Sequence, residues 1–96
     1  MNFLRQIDVI LQDGSLVLTN KSNKKVLIRN VVLHYRITAI TVEGQRTARS
    51  ISEERKIEKE LKPNEKIQIQ NILPEIKMVS VIYTVDDRTV RDDIEI

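Results

Sequence analysis

The feature that most constrains the fold of this chain is an alternation of apolar and polar residues, broken at short intervals by turn signals. In its clearest stretch, runs rich in Ile, Val and Leu over residues 7–12 and 15–19 flank the dipeptide Asp13-Gly14. Asp-Gly adopts the positive φ angles of a tight hairpin turn at low cost. Because a period of two places alternate side chains on opposite faces of a strand, the pattern predicts an all-β protein.

The first half of the chain predicts strands over residues 4–12, 15–20 and 26–42. In the second strand both leucines share the inward phase, and the outward side chains are Ser15, Val17 and Thr19. In the third run, the apolar residues that point inward change from even-numbered to odd-numbered positions at Arg29-Asn30. That switch predicts a β-bulge, or a break between two short strands.

Residues 46–62 are compatible with two structures. Ile57 and Leu61 lie four residues apart, and Ser50 with Glu53 suits a capping box, so residues 53–61 could form a charged helix. The same residues could form an exposed strand. We favour the strand, because the surrounding pattern is β and two apolar anchors are few for a helix.

The remaining pattern predicts strands over residues 66–70, 77–85 and 89–96. In the last strand Val90, Ile94 and Ile96 share the inward phase. Asp92 falls on that phase too, which predicts that it lies at a strand margin or in a bulge. Seven or eight strands with short connections predict one domain, residues 1–96, folded as an antiparallel two-sheet immunoglobulin-like sandwich.

Three segments carry a family resemblance: the strand ending in Asn20-Lys21-Ser22, the run Asn30-Val31-Val32-Leu33-His34-Tyr35, and the turn Leu61-Lys62-Pro63-Asn64-Glu65. Over about residues 14–70 the chain resembles small immunoglobulin-like modules of the FxLYD and CARDB kind. Asn64 stands where their turn usually has glycine. The resemblance implies a binding or adhesion module.

Composition narrows the class of partner. The 16 basic and 14 acidic residues leave a net charge of +2, which gives little reason to expect nucleic acid or an anionic membrane surface. Without cysteine the chain has no disulfide or thiolate metal site.

The first residues lack the apolar core of a signal peptide, which predicts a cytoplasmic location. High charge and two glycines suit a thermostable protein from a heat-adapted source.

Residue chemistry gives little sign of catalysis. His34 is the only histidine, lies out of phase with Leu33 and Tyr35, and has no adjacent nucleophile in sequence. The acidic residues of the last hairpin alternate between faces, so they do not converge on a metal ion. Asn20-Lys21-Ser22 matches a glycosylation acceptor but is interpreted as a turn. We therefore expect no enzymatic activity and no cofactor.

The outward apolar residues suggest an interaction surface instead. A face carrying Ile10, Val17, Val32, Ile40 and Val42 is more apolar than a monomer surface needs. The last strand, with Ile94 and Ile96, is a candidate sheet edge, and an edge can pair with a partner strand. The sequence therefore predicts a module that binds another protein or self-associates, with candidate contacts at Val17, Val32, Ile40, Val42, Ile94 and Ile96.

The alternative is a nucleic-acid-associated accessory protein. Its phosphate contacts would come from the basic loop Lys21, Lys24, Lys25 and Arg29. Single-stranded nucleic acid is also bound by exposed aromatic side chains. The chain has only Phe3, Tyr35 and Tyr83, and both tyrosines fall on apparent core phases.

Overall fold

The computed structural model describes residues 6–96. Its elements are seven strands: β1 (Ile7–Gln12), β2 (Ser15–Asn20), β3 (Val26–Ile40), β4 (Arg46–Leu61), β5 (Lys66–Ile69), β6 (Ile76–Val85) and β7 (Arg88–Glu95). The predicted hairpin turn is present, with positive φ at both Asp13 (51°) and Gly14 (76°). The part of the first predicted strand at residues 4 and 5 lies outside the described residues. Residues 6–96 contain no helix long and apolar enough to cross a membrane.

The strands form two antiparallel sheets, one with the order β1-β2-β5 and the other with the order β4-β3-β6-β7. This arrangement confirms the predicted two-sheet sandwich. In the constant-type immunoglobulin order the fourth strand joins the sheet of the first two strands. Here β4 instead pairs with β3 along its length. The edge strands are therefore β1, β5, β4 and β7, and the prediction that the last strand is an edge is confirmed.

The core lies between the sheets and follows the predicted phases. Its fully buried side chains include Ile7, Leu16, Leu18, Val26, Ile28, Val31, Leu33, Leu61, Val79 and Val81. Ser15 and Thr19, which the alternation places on the outward side of β2, are nevertheless buried, with 9% and 5% of their surface accessible. β2 is the central strand of its sheet, so neighbouring strands lie on both of its sides. Thr19, for example, lies between Asp8 and Lys66.

Residues 53–61 are a strand, so the favoured interpretation is confirmed and the helix is wrong. Backbone pairing with β3 runs from Val26 opposite Leu61 to Ile40 opposite Arg46. The predicted irregularity at Arg29-Asn30 is also present, because both neighbours of β3 shift register between Ile28 and Asn30.

The prediction that Asp92 lies at a strand margin or in a bulge is wrong. This residue lies in the middle of β7, opposite Val81, and the β6–β7 pairing shows no register shift. The Tyr83 hydroxyl donates a hydrogen bond of 2.8 Å to Asp92 Oδ2. A polar side chain on the inward phase therefore needs no bulge when a neighbouring hydroxyl satisfies it. Burial, followed by this contact with Asp92, raises the pKa of the Tyr83 phenol.

The molecule is elongated, with extents of 54 × 28 × 22 Å, because β3 and β4 continue past the other strands. The pairing of β3 with β6 ends where Tyr35 meets Ile76. Beyond that point the ladder has only two strands, from Ile37 opposite Arg49 to Ile40 opposite Arg46. We call residues 37–49 the hairpin arm.

Candidate functional site

The hairpin arm carries the most exposed apolar side chains in the described chain. Ile40 is 71% exposed and Val42 is fully exposed. Both were predicted contact residues. The turn between them and β4 is ordered by backbone bonds, from Thr41 N–H to the Gln45 carbonyl (2.8 Å) and from Gly44 N–H to the Thr41 carbonyl (2.9 Å). The structure therefore presents apolar side chains on a defined, projecting element.

At the base of the arm, the inward face of the four-stranded sheet continues past the cover of the other sheet. β5 ends at Ile69, whereas Tyr35, Ile37 and Ile51 extend the inward face of β3 and β4 beyond it. The result is an open depression of about 410 Å³, lined by Tyr35, Ile37, Ile51, Glu53, Arg55, Asn71 and Leu73. Ile51 and Leu73 are each about half exposed. We call this depression the arm-base groove.

Arg55 fixes one wall of the arm-base groove. Its guanidinium donates to the Gln70 carbonyl, to the Asn71 carbonyl (2.9 Å) and to Glu53 Oε1 (3.1 Å). These bonds connect β4 in one sheet to the segment that follows β5 in the other. Leu73 is consequently held close to the apolar residues of the arm base.

The free edge of β4 runs alongside the arm and the groove, with one side of its backbone unpaired. Its first half is basic, with Arg46 and Arg49, and Glu53 and Glu54 follow. Among residues 6–96, neither Arg46 nor Arg49 forms an ion pair. The edge therefore offers backbone hydrogen-bonding groups, uncompensated positive charge and an apolar groove together.

The other predicted contact residues do not join this surface. Val17 is half-buried on the outer face of the three-stranded sheet, and Val32 is half-buried on the outer face of the four-stranded sheet. The interpretation of these residues as one face is wrong, since sequence phase alone does not reveal which sheet a strand joins. Ile94 is 2% exposed and belongs to the core, so it offers no accessible contact. Ile96, predicted to point inward, is 44% exposed because it follows the end of β7.

The basic loop of the nucleic-acid alternative is largely neutralised. Three of its four bases form ion pairs: Lys24 with Asp86, Lys25 with Glu60 (3.3 Å) and Arg29 with Glu58 (3.5 Å). Lys21 is the remaining member. An anion approaching this loop meets acidic side chains beside most of the bases, which weakens its attraction for phosphate.

Asn20 is a structural residue. It is fully buried, and its Nδ2 donates to the carbonyls of Lys24 (2.7 Å) and Leu61 (2.9 Å). Its Oδ1 accepts from the Ser22 amide (3.0 Å) and hydroxyl (2.6 Å). The side-chain amide is thus fully occupied in the folded protein, and the turn interpretation of this motif is confirmed.

A row of polar side chains that the sequence analysis missed crosses the outer face of the four-stranded sheet. The Ser80 hydroxyl donates to Asp93 Oδ1 (2.5 Å), so its oxygen accepts from His34 Nε2 (2.9 Å). The other ring nitrogen, Nδ1, forms a hydrogen bond of 3.2 Å with the Ser52 hydroxyl. The four residues come from four different strands, and only the strand register brings them together.

This row also affects the Asp93 carboxyl on the outer face. The Ser80 hydroxyl, together with the Arg91 guanidinium (3.0 Å), holds the pKa of the Asp93 carboxyl below its ordinary value. A serine hydroxyl hydrogen-bonded to an imidazole also occurs in serine hydrolases. Ser52, however, is not among the residues that line the arm-base groove. We interpret the row as structural, because its side chains on neighbouring strands provide hydrogen bonds to the hydroxyl of Ser80, which is fully buried.

The second depression lies near the β3 bulge. Its volume is about 480 Å³, and its lining residues are Arg29, Asn30, Glu54, Lys56, Glu58, Ile82 and Thr89. Two bases and two acids alternate there, so it favours neither anions nor cations. Within residues 6–96, His, Asp and Glu side chains form no group of three that could hold a metal ion.

Comparisons of the chain with protein-family models, with curated proteins and with solved structures find no match. The resemblance to modules of the FxLYD and CARDB kind therefore stays a prediction. Any functional conclusion has to come from the geometry of the arm, the groove and the sheet edges.

Proposed function

We propose that this protein is a non-enzymatic interaction module that binds another protein, or a second copy of itself, through the hairpin arm and the adjoining edge of β4. The observation that carries the proposal is the projection of the arm, with Ile40 and Val42 exposed at its end. A two-stranded ribbon is only marginally stable in water. Apolar side chains on such a ribbon have a physical reason to be covered by a partner.

The chemistry of the surface favours a protein partner. An unpaired edge gives main-chain hydrogen bonds to an added strand, and alternate side chains then select its sequence. The arm-base groove accepts an apolar side chain beside Ile51, and Arg49 lies two residues along the same face. Arginine beside apolar anchors is typical of protein–protein interfaces.

The nucleic-acid alternative lacks comparable support. Most bases of its loop are paired with carboxylates. Tyr35 and Tyr83 are 5% and 2% exposed, so neither provides a stacking surface. Phe3 lies outside the described residues.

Site-specific photo-crosslinking in the source cells tests the proposal. A photoreactive amino acid replaces Ile40 on the arm or, as a matched control, the exposed Gln68 on the outer face of the other sheet. We expect protein adducts from position 40 that persist in high salt and after nuclease treatment, and few from position 68. Adducts only from position 68, or adducts that disappear with nuclease, would contradict it.

A further inference from the structure

We infer that the free edge of β4 pairs with β4 of a second copy of this chain, antiparallel, about a two-fold axis that passes beside Ile51. The inference rests on the proposed function and names its partner. It follows from the order of charges along β4 and from the geometry of the arm base.

The symmetry of such a pairing restricts its register. Two antiparallel edge strands related by a two-fold axis keep the same sheet face in both copies, so directly opposite residues must share a face. Because alternate residues of a strand share a face, two opposite residues have either two odd or two even numbers. One residue then lies at the two-fold axis, opposite the same residue of the second copy, and this residue defines the register.

With Ile51 at the axis, the charges are complementary. Arg49 lies opposite Glu53 of the partner subunit, and by symmetry Glu53 lies opposite the partner's Arg49. All of these residues occupy the inward face of β4, where Arg49, Ile51 and Glu53 pair with Ile37, Tyr35 and Leu33 of β3. Opposite charges directly across an antiparallel pair are stabilising. Glu53 is available because Arg55 contacts only its Oε1 atom.

The rest of the register contains no conflict over residues 47–55. Ser50 lies opposite the partner's Ser52, Ala48 opposite the partner's Glu54, and Thr47 opposite the partner's Arg55. The next position brings Arg46 against Lys56 of the partner subunit. These two positive charges limit the ladder to the segment from Thr47 to Arg55.

The apolar residues support the same axis. Ile51 is 46% exposed at the arm-base groove, and in the dimer it meets its own copy. Tyr35 and Ile37 then flank it in each subunit as one apolar stripe across both copies. Since the other sheet does not extend over the arm, a second chain can reach this edge.

The other edges are less suited to self-pairing. On β7, the registers centred on Arg91, Asp92 and Asp93 each place a like-charged pair at the axis. β5 has four residues, which is short for a stable ladder. β1 carries one charged residue, Asp8, and so cannot form reciprocal ion pairs.

Sedimentation velocity of the full chain over a concentration series tests the pairing. Arg49→Glu or Glu53→Arg alone places two like-charged pairs across the axis, and each is expected to weaken dimerisation by about tenfold or more. An equimolar mixture of the two variants restores both opposite-charge pairs, so it is expected to form heterodimers with wild-type affinity.

A matched control defines the register. Glu54→Arg makes the same change in net charge as Glu53→Arg, but it acts on the outer face opposite the partner's Ala48, and it is expected to dimerise like the wild type. Circular dichroism checks that every variant is folded. A wild-type chain that stays monomeric up to about 1 mM overturns the inference. So does a mixture no tighter than its components, or an equal loss in Glu54→Arg.

The outcome is separable from that of the proposed function. A monomeric chain whose position 40 still crosslinks to a different protein refutes self-pairing and leaves the interaction module in place. Absence of any protein adduct from position 40, together with a monomeric chain, refutes both.

Discussion

At the residue scale, one buried polar residue, Asn20, connects the ends of the two sheets. The Asn20 side chain joins the end of β2 to the carbonyl of Leu61 at the end of β4, 41 residues later in the chain. In the same region, the Asn20 amide donates to Glu65 and its carbonyl accepts from Asn64 (3.0 and 2.8 Å). Asn20 therefore holds the loop between β2 and β3 against the loop between β4 and β5.

Asn20→Ala is expected to destabilise the protein by about 2–4 kcal/mol, because the carbonyls of Lys24 and Leu61 both lose a donor. Urea unfolding followed by circular dichroism measures the change. Asn23→Ala in the same loop is the control, and its exposed side chain predicts a change within about 0.5 kcal/mol. Equal losses in both variants would show that the Asn20 bonds add nothing specific.

Tyr83 predicts a loss of stability at alkaline pH. Burial raises the pKa of its phenol in the folded state, while the unfolded chain ionises near the ordinary value of about 10. The contribution of the Tyr83 phenol to the free energy of unfolding is fully present below about pH 10. It is lost as the pH rises above that value, with a slope of up to about 1.4 kcal/mol per pH unit.

The test compares urea unfolding of the wild type and Tyr83→Phe between pH 8 and about pH 11. Below pH 10 the variant is expected to be less stable by about 1 kcal/mol, since Asp92 loses its donor. The difference should shrink as the pH rises. Parallel curves would mean that the phenol does not titrate on unfolding.

These residue-scale features were only partly predictable. Asn and Ser in the sequence predict a turn at residues 20–22, but not the acceptor at Leu61, which depends on the packing of the two sheets. The row Ser52, His34, Ser80 and Asp93 was missed for the same reason. Its members are 13 to 46 residues apart along the hydrogen-bonded chain, and only the strand register brings them into contact.

At the scale of elements, the two short hairpin turns differ in the conformational energy of their backbones. The β1–β2 turn has Asp13-Gly14, whereas the β6–β7 turn places Asp86 (φ 51°) and Asp87 (φ 59°) in the left-handed region. Side chains with a Cβ atom are disfavoured there, and Asp tolerates the region better than most residues. Asp86 also forms an ion pair with Lys24, which gives that aspartate a second role.

Asp87→Gly is expected to stabilise the protein by about 1 kcal/mol, since glycine adopts positive φ without the Cβ penalty. The thermal midpoint from differential scanning calorimetry checks this. Gly14→Ala is the opposite control and is expected to lower the midpoint, because Gly14 has a φ of 76°. A lower midpoint for Asp87→Gly would show that its side chain contributes more than its backbone conformation costs.

Element identity was predictable where the alternation was long, as in β3 and β6. Residues 53–61 were ambiguous, because charged residues alternate with few apolar ones in both helices and exposed edge strands. Their structure is decided by pairing with β3, a tertiary interaction. The half-burial of Val17 and Val32 likewise depends on the sheet that each strand joins.

At the scale of the whole molecule, the shape results from a mismatch in strand length. β3 and β4 have 15 and 16 residues, whereas β6 has 10 and β5 has four. The excess length forms the hairpin arm and leaves the arm-base groove uncovered. The alternation predicted a long third strand, but sequence alone does not show where the neighbouring strands stop covering it.

The most direct test of the account shortens the arm. Replacing residues 38–48 with Asn-Gly joins Ile37 to Arg49 by a two-residue turn and removes Ile40, Val42 and Arg46. Because the arm contributes no fully buried side chain, the thermal midpoint is expected to stay within about 4 °C of the wild type. The measurement is capture of protein partners other than copies of this chain, by the shortened and full-length chains from the same lysate, because the shortened chain keeps Arg49, Ile51 and Glu53 of the proposed self-pairing. The account predicts that the folded, shortened chain loses the partners that the full-length chain captures, and undiminished capture of those partners would contradict it.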